Sequence, residues 1–194
     1  MLANTVPSAF MDERRDHDHA LMQAYVAGDA EAFRVLYERH RGGLYRFILY
    51  RVDTRHTADE LFQETWSRVI ASRERYRPEA QFRTWLFQIA HNLVVDSYRR
   101  KRPQASGEEN ERILQMQAAD EGEQPECVLS TFEQRRRLQL ALEQLPDEQR
   151  TVFLLRMEKG LGLEEIATIT GCGRETAKSR LRYALKRIRE LVTP

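Results

Sequence analysis

Between residues 161 and 189, in the stretch LGLEEIATITGCGRETAKSRLRYALKRIR, cations recur at a spacing suited to a polyanion. Arg174, Lys178, Arg180, Arg182, Lys186, Arg187 and Arg189 crowd one segment, with Glu175 the only acid before Glu190. The apolar residues of that segment, Ala177, Leu181, Ala184, Leu185, Ile188 and Leu191, repeat with the period of a helix. One face therefore serves a core and the rest carries charge. A helix of this kind fits the major groove, where arginine and lysine reach phosphates and guanine edges. A shorter helix is expected before it, from about Leu163 to Ile169, with Ile166 and Ile169 inward and Ala167 small enough for a close crossing. Gly171 lies between the two, where a tight turn needs left-handed backbone. The pattern is a helix-turn-helix and points to DNA binding. Arg174, Glu175, Thr176, Lys178, Ser179 and Arg182 stand near the start of the second helix, where base contacts arise, and Lys186 and Arg189 stand further along, suited to phosphate.

Other chemistry finds little support. No nucleophile and base are paired at a useful spacing, no glycine-rich loop would cradle a phosphate, and an enzyme is not expected. Cys127 and Cys172 lie in different segments without a CxxC pair, and His17 and His19 have no further ligand nearby at metal-site spacing. Neither a metal nor any other cofactor is expected. No apolar run approaches a membrane span, and no signal-peptide core opens the chain, so a cytoplasmic location is expected.

Total charge is uninformative. The 194 residues hold 31 Lys and Arg against 30 Asp and Glu, a formal net charge of +1. Segregation along the chain is informative instead. Residues 99–102 are Arg-Arg-Lys-Arg, and the last helix is basic. Between them, residues 103–131 carry seven acids (Glu108, Glu109, Glu111, Asp120, Glu121, Glu123 and Glu126) against the single base Arg112. Two DNA-facing surfaces joined by a segment that DNA would repel are implied.

The elements that must position these charges read as helical throughout, an all-α chain of two helical domains. Residues 1–17 form a flexible N-terminus, and a helix runs from about Asp18 to Ala27. Asp29 can cap the next helix, which Gly42 and Gly43 are expected to bend or break. Thr57-Ala58-Asp59-Glu60 fits a capping box opening a helix through about Ser72, with Trp66, Val69 and Ile70 among its apolar residues. A loop with Pro78 leads to a long helix from about Thr84 into the basic run. This first domain covers 18–102. Residues 103–131 are a flexible acidic linker, and a second domain of 132–194 ends in the helix-turn-helix. Its Pro146, Asp147 and Glu148 suit a helix start.

The ordered motifs resemble the bacterial RNA polymerase sigma factors of the extracytoplasmic-function (ECF) subtype, across nearly the whole chain. DAEAFRVLYERHRGGLYRFI resembles the opening of sigma region 2, ADELFQETWSRVI its polymerase-binding helix, and FRTWLFQIAHNLVVDSYRRKR its promoter-melting and minus-10 segment. LPDEQRTVFLLRMEKGLGLEEIATITGCGRETAKSRLRYALKRIREL resembles region 4, which reads the minus-35 element. The resemblance leaves no room for an intervening third domain. The chain departs from the family with Ala58-Asp59-Glu60 in place of AED, with Gly162 and Gly173 where serine caps are common, and with Arg174-Glu175 where a small pair is common.

The resemblance implies three surfaces and no catalysis. Asp59, Glu60, Gln63, Glu64 and Trp66 would contact core RNA polymerase, with Trp66 equally suited to the core. Arg77, Gln81, Arg83, Trp85, Gln88, Asn92, Asp96, Tyr98, Arg99 and Arg100 would hold the opened minus-10 strand, since aromatic planes, amides and cations grip unstacked bases. Arg174, Glu175, Thr176, Lys178, Ser179, Arg182, Lys186 and Arg189 would read the minus-35 element. An anti-sigma factor is implied as a further partner, and an extracytoplasmic or stress response as the setting. Promoter elements about 20 base pairs apart lie about 70 Å apart, whereas a flexible 29-residue linker has a root-mean-square span of about 30 Å and a limit near about 100 Å. A scaffold must therefore stretch the chain. The competing reading is a stand-alone helix-turn-helix regulator that grips an operator without polymerase.

Overall fold

A computed structural model describes residues 8–76, 81–101 and 136–192, and among these every regular element is helical. Helix α1 (Ser8–Val26) precedes α2 (Ala30–Leu49), α3 (Arg55–Ala71), a 3-10 turn (Arg73–Arg75) and α4 (Phe82–Lys101). A helix α5 over residues 136–143 leads to α6 (Asp147–Lys159), α7 (Leu163–Thr170) and α8 (Arg174–Val192). The acidic segment 103–131, with Cys127, lies outside the described residues, as does Arg77.

Local chemistry sets most boundaries. The Asp29 carboxylate accepts from the amides of Glu31 (2.9 Å) and Ala32 (3.3 Å), capping α2 as expected. The cap of α3 lies one turn earlier than the sequence suggested: Thr54, not Thr57, accepts from a backbone amide, that of Thr57 at 3.2 Å. Thr54 lacks the carboxylate three residues on that Thr57 has in Glu60, yet the extended backbone at Thr54 makes it the cap. Helix α1 begins ten residues before the expected Asp18. Helix α2 runs unbroken through Gly42 and Gly43, because Leu36, His40, Leu44, Phe47 and Ile48 bury one continuous stripe on both sides of the pair. Packing outweighs a propensity cost of about 1 kcal/mol per glycine.

The first four helices enclose Met22, Leu36, Phe47, Leu86, Phe87 and Val94, all fully buried. Each such side chain contributes roughly 1.5–3 kcal/mol. Asp18 ties α1 to α2, bonding Arg39 and, at 2.8 Å, His40. Burial pushes the Asp18 carboxyl up, but the hydrogen bonds and charges of His40 and Arg39 outweigh it and leave it below the usual range. In the second unit Leu145, Val152, Leu154, Leu155, Leu161 and Ile166 form the core beneath α8. Gly160 and Gly171 end α6 and α7 in left-handed conformation, at φ 60° and 63°.

The two units do not stand apart. Helix α7 packs on α4 and α6 packs on α2, so a continuous apolar core runs through both.

Candidate polymerase and promoter interfaces

Three surfaces follow from how these helices are held. Helix α3 turns Ala58, Leu61, Thr65, Trp66 and Val69 inward, which leaves Glu60, Gln63 and Glu64 on its outer face. Tyr45 donates to Asp59 at 2.7 Å, fixing that carboxylate at the rim, and burial, aided by Asp59, pushes the phenol pKa up. Trp66 is the exception among the expected contacts. It is 5% exposed and sits among Phe33, Tyr37 and Phe62, with ring centroids 5.7, 5.1 and 6.5 Å away. It belongs to the core, and its indole nitrogen is buried without a hydrogen-bond partner. Ile70, one of the apolar residues of this helix, is exposed one position past the buried Val69.

Helix α4 splits its candidates between two faces. Gln88, Asn92, Asp96 and Arg99 recur every three or four residues, and the last three are exposed. Asp96 lies within 3.8 Å of the Arg99 guanidinium, and its carbonyl accepts from Arg100, also exposed, at 3.3 Å. Trp85 begins this stripe, half-buried against Tyr76 and Phe82 at 5.2 and 6.1 Å. Tyr76 fixes the segment before α4, its phenol pushed up to about 12 by burial and then by the Asp18 charge. Gln81 precedes the stripe, its side-chain oxygen buried and unbonded.

Arg83 and Tyr98 face elsewhere. Tyr98 donates to the backbone carbonyl of Arg51, and burial, then Asp53 and Asp147, raise its pKa. Arg83 grips Glu165 of α7 with a two-pronged fork, Nε to Oε1 at 3.1 Å and Nη2 to Oε2 at 2.9 Å, and Thr84 adds a hydroxyl bond to Oε1 at 3.0 Å. Beside them Arg51, with no exposed surface, donates twice to Asp147 of α6, at 3.0 and 2.9 Å. Burial pulls the Arg51 pKa down while Asp147 works against that.

Helix α8 is seated by Ala177 and Ala184, both fully buried, with Leu181 and Ile188 packed alongside. Small residues let it lie close on the core and lift its long cations outward. Arg174, Glu175, Thr176, Lys178, Arg182, Lys186 and Arg189 are all exposed, and Ser179 is half-buried at the edge. Arg174 pairs with Glu164 at 2.8 Å and Glu175 at 3.0 Å, and Arg182 lies over the Tyr183 ring at 5.1 Å. Leu185 corrects the sequence reading. It is 38% exposed and lines a shallow groove with Lys178, Arg182, Lys186 and Arg189.

Residues that sequence reasoning missed are Arg51, Thr84, His91 and Glu165, with Asp147 read only as a helix-start charge. The contacts they make span 96 and 82 positions, a separation that no local pattern reports. A faint signal was the Gly162–Glu165 spacing: the Glu165 carboxylate accepts from the Gly162 amide at 2.8 Å, completing the cap a serine would begin.

Comparison with known proteins agrees with this arrangement. Residues 36–104 match Sigma-70 region 2 and residues 135–188 match Sigma-70, region 4. The RNA polymerase sigma factor CarQ of Myxococcus xanthus is 30% identical over 172 residues, covering 88% of this chain and 95% of CarQ. The ECF RNA polymerase sigma factor SigW of Bacillus subtilis is 28% identical, covering 84% of this chain and 90% of SigW. Among solved structures, the fold is similar to RpoE in complex with the anti-sigma factor NepR from Bartonella quintana, with TM-score 0.70 at 24% identity, covering 84% of this chain and 98% of that one. CnrH in complex with the cytosolic domain of CnrY gives 0.66 at 20% identity, covering 91% and 97%. Among the described residues no helix is long and apolar enough to cross a membrane. Two sigma regions matched in order disfavour the stand-alone regulator. The chain is a sigma factor of RNA polymerase and belongs to the ECF group.

Proposed function

We propose that this chain brings core polymerase to its promoters through three separate faces: α3 for the enzyme, α4 with its preceding segment for the minus-10 strand, and α8 for the minus-35 duplex. The reading rests above all on one observation, the exposed polar stripe of α4 and the exposed cationic face of α8 in a single chain. On α3, Glu60, Gln63 and Glu64, with Asp59 at the rim, offer acids and an amide to a basic partner. On α4, Gln88, Asn92, Asp96, Arg99 and Arg100 supply amide and charged groups, with Trp85 placed to stack once a base leaves the duplex. Gln81 stands just before that surface, Arg83 joins it when released from Glu165, and Arg77, outside the described residues, is proposed from the sequence alone. On α8, Arg174, Glu175, Thr176, Lys178, Ser179 and Arg182 read bases while Lys186 and Arg189 hold phosphate.

The chain contributes no catalytic group and acts in the cytoplasm, in an extracytoplasmic or stress response. CnrH is solved with the cytosolic domain of CnrY and RpoE with the anti-sigma factor NepR, and a protein partner of that kind is proposed here too. Run-off transcription with purified core polymerase over a genomic fragment library tests the whole reading. Discrete transcripts dependent on this chain, each with two spaced elements upstream, are expected. Specific operator binding by the free chain, with no gain in transcription, would overturn it.

A further inference from the structure

We infer that the free chain is self-latched: Glu165 of α7 occupies Arg83 and Thr84 of α4, and Asp147 of α6 occupies Arg51, closing the two sigma regions on each other. The inference rests on the promoter role proposed above for Arg83 and α8, and adds to it a closed state that must be opened before either acts.

Geometry carries it. The Arg83 and Glu165 side chains are only 15% and 13% exposed, so the pair is largely shielded from water and salt. Glu165 is fixed before it meets Arg83, because its Oε2 already accepts from the Gly162 amide at 2.8 Å. Little side-chain entropy is lost when the latch forms. Arg51, fully buried, meets the Asp147 carboxylate through two parallel bonds, a geometry in which a guanidinium is poorly replaced by any other group.

Two consequences follow for DNA. A carboxylate and a phosphate compete for the same guanidinium fork, so Arg83 cannot serve Glu165 and a minus-10 strand together. Helix α7 also carries the turn into α8, and its contact with α4 holds the minus-35 reader beside the minus-10 reader. Promoter elements about 70 Å apart cannot both be engaged from that arrangement. Core polymerase, by binding the α3 face and spreading the regions, would break both ion pairs.

Small-angle scattering on the full chain tests this, comparing the parent with the double variant Glu165→Gln and Asp147→Asn. Glutamine keeps the cap on Gly162, and both amides preserve shape while removing charge. An unlatched chain of two units should have a radius of gyration larger by about a quarter or more than the closed one. The double variant should also bind a minus-35 duplex several-fold more tightly without polymerase. Arg83→Gln with Arg51→Gln, which removes the same two pairs from their other side, should expand the chain likewise, so a folding defect in one variant cannot mimic the result. Equal radii for parent and variants at unchanged helical content, or a parent already extended at physiological salt, would overturn the latch. The scattering result is independent of transcription. Absence of run-off product with a compact parent and expanded variants would sink the promoter reading and leave the closed state standing.

Discussion

His91 offers a test of the closed arrangement that needs no promoter. Its Nδ1 lies 3.5 Å from Nη1 of Arg51, the guanidinium that grips Asp147 of α6. Burial first, and then the Arg51 charge, pull its pKa from 6.5 down to about 4, against a smaller upward pull from Asp147. The folded ring therefore stays neutral where the unfolded ring would take a proton. Between those two values the unfolded chain binds more protons, so the His91 contribution is fully present above about pH 6.5 and is lost as pH falls toward about 4. For a shift of this size, linkage gives a loss of about 1.4 kcal/mol between pH 7.5 and 5.5, and about 2 kcal/mol by pH 5. Urea unfolding of the parent and of His91→Gln at both pH values is the assay. The neutral variant should lose less than the parent by that amount. Asp18 does not confuse the comparison, because its depressed carboxyl gives up its contribution only below about pH 4 and is common to both chains. Equal losses in the two proteins would refute the placement of His91 against Arg51.

Three further outcomes are expected. Lys178→Ala or Arg182→Ala should weaken transcription from promoters with the preferred upstream element by about 1–3 kcal/mol in discrimination, with polymerase co-purification intact; unchanged promoter preference would move the reading surface off α8. Gln63→Ala with Glu64→Ala should reduce co-purification with core polymerase while changing folding stability by less than about 0.5 kcal/mol, since both side chains are exposed. Trp66→Phe should leave polymerase binding at parental strength and cost about 1–2 kcal/mol in urea unfolding, because its ring packs in the core and its indole nitrogen has no bond to lose; selective loss of polymerase binding would return Trp66 to the surface.

What the sequence by itself determined is what local physics controls. The helix-turn-helix was legible because Gly171 marks the turn and the small residues Ala177 and Ala184 recur on one face of the period. Asp29 announced the α2 start, and the α8 cations announced an anion-binding face. Where two local signals competed, the sequence chose wrongly: Thr57 over Thr54 as a cap, a break at Gly42–Gly43 over a continuous stripe, and Leu185 counted inward by period alone. Trp66 was undecidable, because an aromatic at helical spacing serves a core and an interface equally well. Only the tertiary structure decided that Arg83 and Tyr98 turn away from the polar stripe of α4, and that Arg51 and Glu165 join two units read as separate heads. The reason is physical. A charge pair across 82 or 96 residues depends on how four helices stack, and that geometry is written in the packing of both cores rather than in the spacing of either segment.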